Sequence, residues 1–476
     1  MRRTISINNF IIQFFSLFIL VLLLLFTFQT WNDSIKYESW YDTIALLSII
    51  FLIYQLMIFL EFNTSYSDFR LWFIILCHIF MFGRVYLRAL HLDTDIFWDI
   101  MSRFSSRTLY HTGLFVLCCI QALFIGFTIR GKNISSKLKR WKYLNGLSEE
   151  SISELMLRSG ILLFIFSFPF RLIEDIRFIM QVQPTGNYSS FSSRSGISDD
   201  VAFLFLPSVL YIIASKGISK KKTIFFIFGT VIYYVFVMVS TGDRRYPVTA
   251  VIALVLCYLQ VYKVKINLLR FFVTLIICNL SLNFLAVLRI VRHGNLTGVM
   301  SFFIEYRDAL LSNNAVYETL SEFGLSFLST VSVIEHIPTS IDFQNGLGFY
   351  GAIPTILPVG RMFPDFFSQV SISRRINMIT GYSLGSTIFG DFFANFGWVS
   401  VLLIIFYGAI LSGMFYVDID KMRNLSLAKY YSLFYILINL VRASFYETFR
   451  ASMSVWLVPL IILYFIKPVF RKKKLT

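Results

Sequence analysis

The chain has 476 residues, of which 57% are hydrophobic and only 15% are charged, and this composition excludes a soluble globular protein of that length. Its formal net charge is +16, yet the basic residues are scattered along the edges of apolar runs, so we expect no nucleic-acid partner. All five cysteines lie inside apolar runs, which excludes a disulfide framework and a zinc site of the usual spacing.

Apolar stretches long enough to cross about 30 Å of hydrocarbon recur from one end of the chain to the other. Because a helix satisfies its own backbone polar groups inside a bilayer, these stretches predict an all-α, polytopic integral membrane protein. We expect about 12 transmembrane helices, with one large outer loop between helices 9 and 10. The predicted spans are approximately 9–28, 43–60, 71–89, 112–129, 159–179, 201–216, 223–240, 247–262, 269–288, 397–416, 430–447 and 453–467.

Lysine and arginine divide between the two ends of these spans. Sixteen of the seventeen lysines fall on one side, as the positive-inside rule requires of the cytoplasmic face, and both termini lie on that side. Seventeen of the twenty-six arginines fall on the opposite side or in the outer ends of spans. A guanidinium binds phosphate oxygens through two parallel hydrogen bonds, which an ammonium cannot do. The outer face is therefore expected to bind phosphate or pyrophosphate.

Several outer arginines are candidates for phosphate contact. They are Arg84 and Arg88 near the end of span three, Arg244 and Arg245 in the turn between spans seven and eight, Arg289 and Arg292 at the end of span nine, Arg361 in the outer loop, and Arg442 within span eleven. Arginines at a membrane surface also snorkel to lipid headgroups, so an anchoring role is the alternative. In span five the spacing of Arg171, Glu174, Asp175 and Arg177 lets these side chains pair with one another instead.

The segment between spans nine and ten places about 100 residues outside the membrane, far more than an ordinary connection needs. Apolar residues at helical spacing recur in 299–311 and 315–334, and prolines follow these runs. We therefore predict three parts. Residues 1–288 hold transmembrane helices 1–9, residues 289–396 form a folded periplasmic or extracellular cap, and residues 397–476 hold helices 10–12 and a basic cytoplasmic tail.

Candidate general bases are Glu322, Glu335, His336 and Asp391, all in the outer loop. A histidine is suited by its ordinary ionisation range to proton transfer near neutral pH, although a structural hydrogen bond is the alternative role. In the second outer loop, Asp93 and Asp95 have the form of a metal-binding pair. Such pairs are common by chance, so we expect no metal and no cofactor.

Four segments resemble the Wzy-type O-antigen and capsule polysaccharide polymerases. They are Thr-Gly-Asp-Arg-Arg at 241–245, Leu-Ser-Glu-Phe-Gly at 320–324, Gly-Phe-Tyr-Gly-Ala-Ile-Pro at 348–354 with Ile-Leu-Pro at 356–358, and Gly-Ser-Thr-Ile-Phe-Gly-Asp-Phe-Phe-Ala-Asn-Phe-Gly at 385–397. The large outer loop late in a polytopic chain is similar to the architecture of that family. Its members often have glutamate where this chain has Asp391.

The resemblance implies a glycosyltransferase that transfers a growing glycan from undecaprenyl pyrophosphate to a sugar hydroxyl of the next lipid-linked repeat unit. Arginines would bind the pyrophosphate, and a carboxylate or His336 would accept the hydroxyl proton. The leaving group is already activated, so no metal is required. The implied partners are undecaprenyl-pyrophosphate-linked glycans and membrane lipids, with a chain-length regulator protein as a further candidate. The implied location is the inner, cytoplasmic membrane.

Three other functions stay open from the residues alone. A flippase or exporter of the same glycan would have repeated halves and charges near the bilayer midplane, whereas here the charges gather at the outer interface. An O-antigen ligase would share the architecture and the chemistry. A glycosyltransferase that uses a polyprenyl monophosphate sugar would need a metal at Asp93 and Asp95.

Overall fold

The computed structural model describes residues 2–32, 39–62, 64–92, 103–129, 148–185, 197–241, 245–264, 307, 317–356, 363–381, 384–415 and 422–472. Every regular element in these ranges is helical. The α-helices are α1 (Arg2–Asn32), α2 (Trp40–Glu61), α3 (Phe69–Ala89), α4 (Ser106–Thr128), α5 (Glu149–Thr185), α6 (Ile197–Phe203), α7 (Phe205–Ser215), α8 (Lys220–Thr241), α9 (Arg245–Val261), α10 (Tyr317–His336), α11 (Leu347–Tyr350), α12 (Pro364–Val370), α13 (Ile372–Thr380), α14 (Ile388–Phe396), α15 (Ser400–Phe415), α16 (Asn424–Leu437) and α17 (Phe445–Lys472). Short 3-10 turns cover Ile353–Ile356, Gly397–Val399 and Ile438–Val441.

Nine helices in the described part of the chain are long and apolar enough to cross a membrane. They coincide with nine of the twelve predicted spans, and the shorter apolar helix Tyr246–Val261 coincides with the eighth. The predicted ninth span lies outside the described residues. The expectation of an all-α, polytopic membrane protein is therefore confirmed.

Helix α4 lies at the centre of the bundle, where all of its residues from Leu109 to Thr128 are buried. Helices α1, α2, α10 and α15 pack around it. A Cβ at Gly126 would lie 2.3 Å from the carbonyl oxygen of Ile405 on α15, and a Cβ at Gly408 would lie 2.6 Å from that of Leu123. Small residues thus let the backbones of α4 and α15 touch, as is common where helices pack within a membrane.

Buried hydrogen bonds join α1, α2, α3 and α4 at mid-bundle. His78 of α3 is 3.1 Å from Ser48 Oγ and 3.0 Å from Gln55 Oε1, both on α2. Gln55 Nε2 donates to Gln121 Oε1 of α4 at 3.1 Å, and Gln121 Nε2 donates to the carbonyl oxygen of Ser16 on α1 at 3.0 Å. These bonds satisfy polar groups that lipid could not satisfy. They also link the four helices to one another in the middle of the bundle.

Contacts between helix ends identify one face of the bundle. Arg423, just before α16, lies 3.6 Å from Glu149 at the start of α5. Ser153 of α5 donates to the carbonyl oxygen of Ser215 at the end of α7. Thr223 Oγ1, near the start of α8, is 3.1 Å from the hydroxyl of Tyr262, just beyond α9. Helices α5, α8 and α16 therefore begin where α7 and α9 end, at the face predicted to be cytoplasmic, and their other ends meet at the opposite face.

The contacts of α10 with α3 correct one expectation. Arg84 is buried, and its guanidinium donates from Nε to the carbonyl oxygen of Ser321 at 2.9 Å and from Nη2 to Ser321 Oγ at 3.0 Å. A Cβ at Gly324 would lie 2.3 Å from the backbone nitrogen of Arg84, so the two helices touch there. Arg84 therefore clamps α10 to α3 instead of facing a phosphate ligand.

Helix α10 also contacts the starts of α2 and α4. Phe327 stacks on Trp40, the first residue of α2, with ring centroids 6.2 Å apart. Thr108, in the first turn of α4, donates to Glu335 at 2.5 Å. Helices α10 to α14 all belong to the predicted cap, and α14 continues through the turn Gly397–Val399 into α15, so that Ile388–Phe415 forms a single candidate span. The division at residues 288 and 396 stays a prediction.

The predicted eleventh span is not one helix. It ends as a 3-10 turn at Val441, the residues 442–444 are not helical, and α17 begins at Phe445. Ser444 Oγ accepts a hydrogen bond from the N–H of Glu447 at 3.3 Å, which is how a serine caps a helix start. The prediction that Arg442 lies inside span eleven is therefore wrong, because Arg442 lies in the break between α16 and α17.

Candidate functional site

Asp391 joins α14 to the start of α17. Its Oδ1 accepts a hydrogen bond from Ser386 Oγ at 2.5 Å, and its Oδ2 accepts one from the backbone N–H of Phe445 at 2.6 Å. The residue is only 6% exposed. A carboxylate at the first N–H of a helix also meets the positive end of the helix dipole. Asp391 therefore holds the start of α17, and with it the break that carries Arg442, against α14.

Two of the segments that resemble the polymerase family are held together by Asn395 of α14. Its Oδ1 accepts from the N–H of Gly348 at 3.0 Å, and its Nδ2 donates to Gln344 Oε1 at 3.2 Å. A Cβ at Gly348 would lie 2.7 Å from Asn395 Nδ2, so a larger residue does not fit. Gly397, which follows α14, has a φ of +54°, a left-handed value that glycine adopts readily. These contacts fix α11 beside the Asp391 end of α14.

Arg245 and Arg442 occupy neighbouring positions on two antiparallel helices. Asn439 Nδ2, in the turn that ends α16, donates to Thr249 Oγ1 of α9 at 3.1 Å. Arg442 lies three residues after Asn439 and Arg245 lies four residues before Thr249, so each is about one helical turn beyond this contact. Because α9 and α16 run in opposite directions, both positions lie toward the face predicted to be outer. The fold thus places two backbone positions that are distant in the sequence at a similar level of the bundle, and one of them, Arg442, lies three residues before the helix start that Asp391 holds.

A charged cluster lies between α5, α6 and α17. Arg450 of α17 pairs with Asp200 of α6 at 2.5 Å, and Arg171 pairs with Asp175 within α5 at 2.6 Å. Asp199 is within electrostatic range of both arginines. Spacing in the sequence predicted the pair within α5, whereas the pair between α17 and α6 joins residues 250 positions apart and could not be predicted. These two arginines already have carboxylate partners within the protein.

Glu447 is a further carboxylate close to the break, beyond the four candidate bases. It is exposed in the first turn of α17 and lies within electrostatic range of Asp391. The sequence marks its position, because Ser444 followed three residues later by Glu447 is the capping-box pattern of a helix start. Glu447 therefore joins the candidate proton acceptors near Arg442.

His336 lies at the end of α10, with its imidazole half-buried. Its Nδ1 is 2.8 Å from the carbonyl oxygen of Ser332, and because a carbonyl oxygen only accepts, Nδ1 carries a hydrogen. In the neutral ring Nε2 is then unprotonated, as a general base requires. Glu335 differs, because its carboxylate is engaged by Thr108 of α4. In the described structure no hydrogen bond joins Glu335 or His336 to Asp391.

The remaining predicted site residues lie outside what the structure describes. These are Arg244, Arg289, Arg292 and Arg361, together with the side chains of Arg245 and Glu322, whose backbones are helical. Asp93 and Asp95, where no metal is expected, also lie outside the described residues. Within the described ranges, no group of three or more histidine, cysteine, aspartate or glutamate side chains is arranged to hold a metal ion.

A known protein family matches nearly the whole chain. The model of a family described as O-antigen polysaccharide polymerase Wzy matches residues 9–474, which is nearly the whole chain. No curated protein and no solved structure matches the chain.

Proposed function

Because the chain belongs to the Wzy family of O-antigen polysaccharide polymerases, we propose that it joins repeat units carried on undecaprenyl pyrophosphate at the outer face of the cytoplasmic membrane. The family accounts for a membrane-embedded polysaccharide polymerase that acts on lipid-linked oligosaccharide repeat units. The pyrophosphate donor and the outer-face site are the finer parts of the proposal, and they rest on the arginines.

The observation that carries the proposal is the neighbouring placement of Arg245 and Arg442. Both lie about one turn beyond the contact between Thr249 and Asn439, at the ends of two antiparallel helices. Guanidinium groups carried by arginines at that level would supply parallel donors for the oxygens of a pyrophosphate at the membrane surface.

The proposed reaction exchanges one bond for another at the anomeric carbon of the lipid-linked sugar. A hydroxyl oxygen of the incoming repeat unit forms the new glycosidic bond to that carbon. The bond from the carbon to the pyrophosphate oxygen breaks, and its electron pair leaves with the lipid pyrophosphate. The arginines stabilise the charge that develops on those oxygens, and a base takes the proton of the hydroxyl.

The candidates for the base differ in what their surroundings permit. His336 presents an unprotonated Nε2 in its neutral form, and Glu447 presents an exposed carboxylate. Asp391 is buried, and each of its oxygens already accepts a hydrogen bond. We therefore assign Asp391 the positioning of the Arg442 break, and we keep His336, Glu335, Glu322 and Glu447 as candidates for proton transfer.

A deletion experiment separates this function from transport. Cells that lack the protein should carry single repeat units on the lipid at their surface, because the units are still exported but are not joined. Complete absence of repeat units from the surface would instead indicate a flippase. Normal long chains in the deletion strain would contradict both functions.

A labelling experiment tests the outer location of the site. Cysteines introduced at Ser136, in the predicted cytoplasmic segment 130–158, and at Asn345, beside α11, should react oppositely with an impermeant thiol reagent in intact cells. Labelling at Asn345 alone is expected. Equal labelling at both positions, or labelling at Ser136 alone, would contradict the orientation and the outer-face site with it.

A further inference from the structure

The helical hairpin α12–α13 carries apolar side chains that no part of the described protein covers. Met378 and Ile379 of α13 are 68% and 51% exposed. Phe366 of α12 and Phe363, the residue before α12, are exposed as well. Ile353 and Ile356, in the 3-10 turn before the hairpin, add to this set. Large apolar side chains that remain exposed in one short segment mark a surface that binds something apolar.

The arrangement of residues on α13 narrows the chemistry of that partner. Ile372 and Ile376 are buried on the inner face, where α13 packs against α10 and α12. On the outward side the exposed Arg374 precedes Met378 by four residues, and the half-buried Arg375 likewise precedes Ile379, so guanidinium and apolar groups lie next to each other along the helix. Such interleaving suits the boundary between lipid headgroups and acyl chains, where arginine reaches phosphates and the apolar groups enter the hydrocarbon.

The position of the hairpin in the bundle agrees with that boundary. Phe367 of α12 contacts Tyr446 with ring centroids 6.2 Å apart, and Arg374 lies within electrostatic range of the same tyrosine. Tyr446 is in the first turn of α17, at the very end of a candidate spanning helix. The hairpin therefore lies at the level where a spanning helix leaves the hydrocarbon.

We infer that α12–α13 is an interfacial anchor that lies in the outer leaflet of the bilayer, with Met378 and Ile379 in the acyl boundary and Arg374 and Arg375 on lipid phosphates. The occupant of this surface is thus the phospholipid bilayer itself. One consequence rests on the proposed function. The pyrophosphate of a lipid-linked substrate, at the level of these lipid phosphates, would also lie at the level of Arg442. The immersion of the hairpin does not depend on that function.

The test measures where a side chain on α13 lies, without any assay of activity. Met378→Cys carries a nitroxide spin label, and Asp342→Cys, an exposed polar position in the turn after α10, is the matched control. The described native cysteines are buried, and Cys278 is replaced by alanine. The full-length protein is reconstituted in nanodiscs of anionic and of zwitterionic phospholipid. Collisions of each label with oxygen, which concentrates in lipid, and with a water-soluble nickel complex are then compared.

We expect the label at position 378 to collide more with oxygen than with nickel, and the control label to show the reverse order. The double variant Arg374→Gln/Arg375→Gln should shift the label at 378 toward water in anionic nanodiscs. The inference is overturned if the label at 378 is as exposed to nickel as the control. It is also overturned if the label is shielded from both reagents, which would indicate a protein partner or a second copy of the chain. A shift that occurs only after lipid-linked repeat units are added would assign the surface to the substrate's polyprenyl chain.

Discussion

Replacement of Asp391 by asparagine separates a positioning role from a catalytic one. An asparagine can keep both contacts of the aspartate, because its carbonyl oxygen can accept from the N–H of Phe445 and its amide can donate to Ser386 Oγ. What it loses is the charge, which makes each hydrogen bond stronger by about 1 kcal/mol. Asp391→Asn should therefore lower the stability of the protein by at most about 2 kcal/mol, because asparagine avoids the cost of burying a charge and this offsets part of the loss.

The expected effect on polymerisation is correspondingly small. If Asp391 only holds the start of α17, the asparagine variant that reaches the membrane should keep a near-normal turnover, because lost folding stability lowers the amount of folded protein and turnover is normalised to abundance. A general base could not be replaced in this way, because its loss typically costs about 10²–10⁴ in rate. Asp391→Ala should be far more damaging, since it leaves the half-buried N–H of Phe445 without its acceptor, and its two lost bonds are worth about 3–6 kcal/mol.

The assay compares turnover, membrane abundance and thermal stability for the same set of variants. Turnover is the rate at which lipid-linked repeat units enter products, normalised to the abundance of the variant. Asp365→Asn, which changes an exposed carboxylate on α12, is the matched control and should be silent in all three measurements. A loss of about 10²–10⁴ in Asp391→Asn at normal stability and abundance would refute the positioning role and restore Asp391 as the base.

Three further outcomes follow from the contacts. Arg442→Lys should lower turnover by roughly tenfold to a hundredfold, because lysine keeps the charge but loses a two-pronged contact, whereas the exposed Arg423→Lys at the other face should be silent. His336→Gln should cost about 10²–10⁴ in turnover at normal abundance, and a near-normal rate would remove His336 from the candidates. Gly126→Ala should destabilise the protein by about 1–3 kcal/mol by forcing α4 from α15, whereas Gly229→Ala, whose Cβ meets nothing within 4 Å, should be tolerated in a thermal-shift measurement.

The spans were predictable because each rests on a local property of the chain. A helix that crosses a membrane needs an unbroken apolar run, so hydropathy alone located nine helices in the part of the chain that the structure describes. The break at Arg442 was missed because the residues on both sides of it are apolar and no proline or glycine interrupts them. The capping pattern from Ser444 to Glu447 marks this break, and a search for helix starts inside long apolar runs would find it.

The sequence predicted the ligand chemistry of the candidate site but not which residues meet there. The excess of arginine on one side indicated a phosphate ligand, but which arginines meet depends on tertiary contacts such as Asn439 with Thr249. Helical register did not identify the partner of Arg84. No carboxylate lies in register with it within α3, and its donors are engaged by Ser321 of α10. The motif that contains Asp391 likewise predicted importance without predicting a role, because the partner Phe445 is 54 residues away.

Purified protein in proteoliposomes, supplied with lipid-linked repeat units and no other protein, tests the central claim most directly. If the chain is the polymerase, the products separate as a ladder whose rungs differ by one repeat unit, and the ladder shortens in Arg442→Lys. Movement of the substrate across the bilayer without any joined product would contradict the claim and indicate a flippase. A single transfer of glycan to an acceptor that is not a repeat unit would contradict it equally and indicate a ligase.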